Sequence, residues 1–243
     1  MHMNPFRPLL SLLQFTTILP LGKPQEFEDF ARHSWIYPVA GYVIALLVCI
    51  PVYFIPDTTI AAAVAIAGLI VLSGAHHFDG LLDLGDGLMA HGDHEKRIRA
   101  LTDRYVGAGG IAAGLVVTLL LFAGLREAAA ILPAIIIGEV SAKFAMAFLT
   151  VYGTPFKEGI HSYLHQFAKP YFPVLSFLLC IPLIFLPVSP LQLAAACVLM
   201  ILCPAVLFVG AKKMFGGVNG DVVGASHEIT RALVIVALAL IVT

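Results

Sequence analysis

Seven stretches of the chain are apolar over a length that suits a membrane-crossing helix. The hydrocarbon core of a bilayer is about 30 Å thick, so a helix needs about 20 apolar residues to cross it. A helix also satisfies its own backbone hydrogen bonds in lipid, which loops and open sheets cannot do. We therefore predict an all-α polytopic integral membrane protein with about seven transmembrane helices, forming one domain over residues 1–243. The stretches are 35–55, 59–73, 106–125, 128–151, 171–186, 191–210 and 229–243.

The composition agrees with a chain that lies in lipid. Of its 243 residues, 60% are hydrophobic and only 12% are charged, and its mean hydropathy is +0.95. A soluble domain is nearer half apolar and a quarter charged. The net charge of −1 provides no large basic footprint for nucleic acid. The lipid bilayer is thus an expected partner, and nucleic acid is not.

The N-terminal segment 5–21 is apolar but contains three prolines. This pattern favours an interfacial or re-entrant helix over a full span. Residues 1–21 contain no small-residue cleavage site followed by a soluble domain, so we expect them to belong to the mature chain.

The basic residues predict the orientation of these helices. Numbering the loops from the N-terminus places residues 1–34, 76–105, 152–170 and 211–228 on one side of the membrane, here called side one. An excess of Lys and Arg in short loops marks the cytoplasmic face. We therefore predict a multi-pass protein of the cell membrane, with side one and its site facing the cytoplasm and the C-terminus outside. The side-one cations are Arg7, Lys23, Arg32, Lys96, Arg97, Arg99, Arg104, Lys157, Lys169, Lys212 and Lys213, with Arg231 at the border.

Orientation does not explain the acidic residues on side one, because Asp and Glu contribute little to topology. Their excess there points to a function. They are Asp79, Asp83, Asp86, Asp93, Asp103, Glu158, Asp221 and Glu228.

The densest acidic segment is residues 76–86, where His76, Asp79, Asp83 and Asp86 are spaced 3, 4 and 3 apart. On a helix they lie within an arc of about 100°, with the intervening leucines pointing elsewhere. Oxygen ligands without cysteine favour a hard cation, Mg²⁺ or Mn²⁺, on the three aspartates. Gly80 and Gly87 place no side chain beside the acids, so we expect a ligand to approach the acids closely at these two positions. His76 is a candidate ligand, a partner of a ligand or a membrane-interface histidine.

Two further side-one patches accompany these acids. Glu139 and Lys143 are four residues apart inside the fourth span and suit either a functional pair or a structural salt bridge. The glycine-rich segment 216–228 carries Asn219, Asp221 and Glu228, and its backbone N–H groups could face phosphate. Acids for Mg²⁺, cations for phosphate and glycines that admit both are the parts of a phosphoryl-transfer site. We expect the side-one loops to fold over residues 76–104 and bring these patches together.

At these residues the chain resembles the cobalamin synthase family, the adenosylcobinamide-GDP ribazoletransferases. The resemblance rests on the segments HHFDGLLDLGDG (76–87), LTDRYVG (101–107) and GGVNGDVVGA (216–225), with weaker agreement at FTTILP (15–20) and YPVAG (37–41). Where the family tends to have arginine near the fourth span, this chain has Lys143 and Lys157.

The resemblance implies that adenosylcobinamide-GDP and α-ribazole, or its 5′-phosphate, are joined to give a cobamide and GMP. It implies Mg²⁺ or Mn²⁺ on Asp79, Asp83 and Asp86. Asp103 or Asp221 is the candidate base. The substrate-binding candidates are His76, Arg104, Lys143, Lys157, Asn219 and Glu228.

Two other functions are compatible with parts of the sequence. A CDP-alcohol phosphatidyltransferase has a related acidic signature, but this chain lacks its Ala-Arg pair after the first acids. An ion-coupled transporter would place its acids near the bilayer midplane, often in inverted repeats, and neither pattern is visible here. The sequence leaves open whether the chain forms a homo-oligomer.

Overall fold

The computed structural model describes residues 6–241, and within that range the regular structure is helical, with one isolated bridge between Pro155 and Val218. Short 3₁₀ turns at Ser34–Ile36 and Ile181–Phe185 adjoin α3 and α10. The helices are α1 (Arg7–Thr16), α2 (Phe27–Ala31), α3 (Tyr37–Tyr53), α4 (Thr58–Leu72), α5 (His76–Met89), α6 (His94–Leu101), α7 (Ala108–Glu127), α8 (Ile131–Tyr152), α9 (Ile160–Phe167), α10 (Phe172–Cys180), α11 (Pro190–Phe215) and α12 (Gly220–Leu240).

Five helices of the described chain are long and apolar enough to cross a membrane, namely α3 with its 3₁₀ turn, α7, α8, α11 and α12. Two bent pairs raise the number to seven: α4 with α5 at 94°, and α9 with α10 and its 3₁₀ turn at 96°. The prediction of an all-α polytopic membrane protein is confirmed. The predicted N-terminal helix is α1, whose 10 residues are too few to cross the bilayer. Pro5 lies outside the described residues.

The last span begins earlier than its apolar run. We predicted residues 229–243, whereas α12 begins at Gly220, and residues 242–243 lie outside the described part of the chain. The Asn219 side chain caps the helix by accepting a hydrogen bond from the Val222 N–H at 3.1 Å. The polar first half of α12 is buried against other helices, so the span contains residues that a hydropathy pattern assigns to a loop.

Helices α8 and α12 form the centre of the bundle, and α12 packs against α5, α7, α8 and α11. Large apolar side chains of the peripheral helices are exposed, including Leu115 and Leu119 of α7 and Val198 and Val206 of α11. Charged side chains are instead buried between α8 and α12. This distribution is the inverse of a soluble protein and suits a lipid-facing surface.

The segments assigned to side one meet at one end of the bundle. The Ile18 N–H donates to the Leu72 carbonyl oxygen at 2.9 Å, and the Val218 N–H donates to that of Thr154 at 2.8 Å. At the opposite end, the Gln192 side chain donates to the carbonyl oxygens of Leu238 and Ile241 at 2.8 and 3.1 Å.

Candidate active site

Helix α5 carries the predicted acidic face. A left-handed turn at Gly74 and Ala75, with φ of +63° and +59°, separates it from α4. Asp79 is exposed and Asp83 and Asp86 are half-buried. The opposite face packs into the core through leucines, as the 3.6-residue period predicts; these are Leu81 and Leu84.

The glycines of α5 admit other helices rather than a ligand, so our expectation for Gly80 and Gly87 was wrong. A Cβ at Gly80 would lie 2.6 Å from the Asp221 carbonyl oxygen, and one at Gly87 would lie 2.8 Å from the Leu101 Cβ. A Cβ at Gly85 would lie 2.7 Å from the Gly109 carbonyl oxygen. Small residues at such crossings let helix backbones approach closely in membranes. Here they bring α12, α6 and α7 against the acidic helix.

Asp86 is engaged by the first turn of α7. Its carboxylate accepts hydrogen bonds from the N–H groups of Gly107 at 2.7 Å and Gly110 at 2.8 Å. These donors have no carbonyl partner at a helix start, and the helix dipole favours a negative charge there. A Cβ at either glycine would lie within 2.7 Å of a carboxylate oxygen of Asp86. Asp86 therefore caps α7, in addition to its predicted role as a metal ligand.

The carboxylates of Asp79 and Asp83 differ from that of Asp86 in having no hydrogen bond or ion pair with any residue in 6–241. Asp83 interacts electrostatically with Asp79, Asp86 and Asp221, and its one cationic neighbour in that set of interactions is Lys157. Lys157 and Asp79 also interact with Asp221. These oxygen donors suit a hard divalent cation, which would relieve their mutual repulsion.

Two loops pinned to each other bring Lys157 and Asp221 to α5. The Pro155–Val218 bridge joins segment 153–159 to segment 216–219, and a Cβ at Gly217 would collide with the Thr154 carbonyl oxygen. The Asn219 side chain orients the Asp221 carboxylate, because its amide donates a hydrogen bond to a carboxylate oxygen of Asp221 at 2.5 Å. The predicted convergence of these two side-one loops on the acidic helix is observed.

A cavity of about 370 Å³ adjoins these acids between α1, α3, α5, α8, α9 and α12. The mouth is marked by the exposed lining residues, which are His76, Asp79, Ile160 and Gly220. Two buried histidines line the interior, His77 and His161, and the Nδ1 atom of each has no hydrogen-bond partner in the described chain. Sequence reasoning missed both. His77 directly follows His76, the histidine in register with the acids, and His161 shares a short helix with His165 but has no acidic or cysteine neighbour there to suggest a site.

Asp103 and Arg104 lie elsewhere, in the exposed loop between α6 and α7. Asp103 lines a second cavity of about 440 Å³ together with Asp86 and Tyr105. The two predicted candidates for the base, Asp103 and Asp221, therefore face different cavities.

Lys143 and Glu228 are buried in an ionic network between α8 and α12, and neither lines the 370 Å³ cavity. The Lys143 ammonium lies 4.0 Å from the Glu139 carboxylate, and the Arg231 guanidinium donates to Glu139 at 3.1 Å and to Glu228. His227 completes the network, 2.9 Å from Glu139. Buried charges of this kind need such partners. This ionic network therefore lies beneath the site, whereas segments 153–159 and 216–219 lie over it.

Three donors of this region, from His77, His227 and Glu228, lie within 4.8 Å of one another and could in principle hold a metal ion. The rings of His77 and His227 are stacked at 4.3 Å with 30° between their planes, so their in-plane lone pairs diverge. Glu228 is also bound by Arg231, which repels a cation. These contacts favour an internal network over a metal centre.

The family model for cobalamin-5-phosphate synthase matches residues 8–239. The chain belongs to that family. The match spans all three motifs and both pinned loops, so the site described above is part of the family's shared domain.

Curated relatives in this family carry the name adenosylcobinamide-GDP ribazoletransferase. The protein of Halorubrum lacusprofundi is 34% identical over 92% of this chain and 93% of its own length. Those of Archaeoglobus fulgidus and Methanopyrus kandleri are 32% and 30% identical, over at least 95% of this chain and 96% of their own. No solved structure matches the chain. The predicted resemblance to this transferase family is confirmed.

Proposed function

We propose that this protein joins adenosylcobinamide-GDP and α-ribazole, or α-ribazole 5′-phosphate, to give a cobamide and GMP. The observation that carries the proposal is the convergence of Asp79, Asp83, Asp221 and Lys157 at one end of a membrane bundle. The relatives' names supply the substrates. The end of the bundle supplies the chemistry, because acids and a cation at one cavity mouth suit transfer between phosphate-bearing molecules.

The reaction exchanges one bond to phosphorus for another. A ribazole hydroxyl oxygen attacks the phosphorus attached to the cobinamide side chain, and the bond from that phosphorus to the bridging oxygen breaks. GMP leaves with the bonding electron pair. The hydroxyl proton passes to a carboxylate base. Asp221 suits this role better than Asp103, because it lies on the nucleoside-sized cavity beside Asp79.

Asp79 and Asp83 fit Mg²⁺ or Mn²⁺ because their carboxylates have no partner in residues 6–241. Asp86 would join them through the lone pairs that its bonds to α7 leave free. A divalent cation there neutralises charge that develops on the pyrophosphate. Lys157, which interacts electrostatically with Asp83, is the candidate to pair with a phosphate oxygen, and His76 and Arg104 are exposed for substrate contact. Lys143 and Glu228 would act from below by holding α8 and α12 together.

The direct test uses the purified full-length protein in detergent or nanodiscs. Adenosylcobinamide-GDP, α-ribazole and Mg²⁺ are supplied, and GMP and the cobamide are separated by chromatography. We expect equimolar GMP and cobamide, with no product when a chelator removes the metal. Failure to form cobamide with either ribazole substrate would overturn the proposal.

A parallel reaction supplies CDP-diacylglycerol and a small alcohol instead of the corrinoid. The expected result is no CMP release. Turnover in this reaction but not in the first would identify a lipid phosphatidyltransferase.

A further inference from the structure

We propose that the 370 Å³ cavity beside Asp79 and Asp221 is the subsite for the acceptor nucleoside, and that His161 is the residue that anchors the nucleoside there. The inference rests on the proposed function and specifies which of its two substrates enters the protein. The corrinoid substrate then binds outside this cavity, across the acids at its mouth.

The size of the cavity selects the nucleoside. Its volume of about 370 Å³ is at the small end of the range for small-molecule sites, which is roughly 300–1,000 Å³. A base with one ribose fits such a space. A corrin ring with its amide side chains and an adenosyl group does not.

The walls suit a planar aromatic base. Apolar and aromatic side chains line the interior: Phe15, Tyr37, Met146, Leu164 and Val223. Tyr37, Met146, Leu164 and Val223 are buried, so the walls are fixed by packing against the core. Flat heteroaromatic rings bind well between surfaces of this kind, with a few polar groups setting their orientation.

His161 supplies the most informative polar group. Its Nε2 lies 2.8 Å from the Gly153 carbonyl oxygen, which can only accept a hydrogen bond, so Nε2 carries the proton. In the neutral imidazole Nδ1 is then an acceptor, and it is buried without a partner in residues 6–241. A buried polar atom without a partner is costly. A ribose hydroxyl donating to Nδ1 would satisfy it.

His77 of α5 also lines this cavity, and its Nδ1 is likewise buried without a hydrogen-bond partner in residues 6–241. Its ring is held by stacking on His227, and its backbone contacts Gly224, so it cannot easily turn to another partner. Asp79 and Asp221 lie at the same cavity. A nucleoside anchored by the two histidines would therefore present a hydroxyl toward these carboxylates.

Two variants at position 161 separate ligand binding from structure. His161→Gln keeps an N–H donor near the Nε2 position and removes the acceptor at the Nδ1 position. His161→Asn keeps an acceptor near the Nδ1 position and removes the bond to Gly153. We expect His161→Gln to raise the KM for α-ribazole at least about tenfold while the KM for adenosylcobinamide-GDP stays within about twofold. His161→Asn should affect thermal stability more and the KM for α-ribazole less.

The matched control is His165→Asn. His165 lies on the same short helix and uses Nδ1 on the Thr150 carbonyl oxygen at 2.9 Å, but it does not line the cavity. Asn preserves that donor, so both KM values should stay near those of the wild type.

Filling the cavity provides an independent test. A Cβ at Gly220 meets nothing within 4 Å, and Gly220 lines the cavity mouth. Gly220→Phe should therefore block α-ribazole without a clash in the core. Gly210 on α11 has equally open surroundings but lies away from the cavity, so Gly210→Phe is its control.

Binding of α-ribazole alone, measured by calorimetry on the full-length protein, keeps this inference separate from the proposed function. Binding of α-ribazole by the wild-type protein without formation of cobamide would support the subsite and contradict the proposed reaction. An active wild type whose His161→Gln and Gly220→Phe variants change only the KM for adenosylcobinamide-GDP would overturn the subsite. So would unchanged affinity for α-ribazole in both variants.

Discussion

Asp83 lies at the middle of the acidic face of α5, between Asp79 and Asp86, and near Asp221 and Lys157. Its carboxylate has no hydrogen bond or ion pair within residues 6–241, so the fold does not depend on its charge. A group that repels its neighbours without stabilising the fold is expected to serve a ligand.

We predict that Asp83→Asn lowers turnover at least about 100-fold, because a divalent cation held by the three aspartates would supply several kcal/mol of charge stabilisation in the transition state. Its thermal stability should equal or exceed that of the wild type, since one repelling charge is removed. GMP release at saturating Mg²⁺ measures the first effect and a thermal melt the second. A near-normal rate would show that the three aspartates are not the metal site.

Asp86 should behave differently from Asp83, although the two are three residues apart on one helix. Asn at position 86 can accept only one of the two N–H groups of α7 and turns its own NH₂ toward the other. We predict a loss of about 1 kcal/mol, as for a lost helix cap, and a melting temperature about 2–4 °C lower. Equal melting temperatures for Asp83→Asn and Asp86→Asn would contradict the capping role.

At the scale of helices, the close crossing of α5 and α7 sets the position of the acids. Gly85 and Gly109 face each other at this crossing, and a Cβ added at either position would lie 2.7 Å from the carbonyl oxygen of the other. The same residues that weaken a soluble helix therefore strengthen this contact between membrane helices.

Gly85→Val should force α5 away from α7 and lower the free energy of unfolding by about 1–3 kcal/mol, as overpacking does. Activity should fall as well, because the acids move with the helix. Thermal melts and GMP release measure both effects. Gly210→Val is the control, since a Cβ at position 210 meets nothing within 4 Å. Similar losses in both variants would contradict a specific role for the close approach of α5 and α7 at Gly85.

At the scale of the whole molecule, five to seven helices can cross the membrane, and the site gathers at the end that carries most basic residues. Seven crossings place the N- and C-termini on opposite sides. The buried network between α8 and α12 ties the two central helices together beneath the site.

We predict that this end faces the cytoplasm and that the C-terminus lies outside, on the strength of the Lys/Arg distribution. A reporter that matures only in the cytoplasm should give little signal when fused after residue 243. The same reporter inserted in the exposed segment 91–93 should give a strong signal. A strong signal from the C-terminal fusion would mean an even number of crossings.

The sequence by itself determined the membrane class, most span positions, the helix with three acids on one face, and the family. These properties are local: a span requires length and apolarity, and a helix face requires only its period. The apolar run of the last span begins only at residue 229, although α12 begins at Gly220, because His227, Glu228 and Arg231 are polar and their partners are known only from the fold.

Only the tertiary structure decided which polar groups meet. Lys143 and Lys157 were both candidates for substrate binding, yet Lys143 is sealed between α8 and α12 and Lys157 interacts with Asp83. Asp86 became a helix cap and His161 a cavity wall through contacts with segments distant in the chain. Such pairings depend on how closely glycines let helices approach and where loops are pinned, which no single segment encodes.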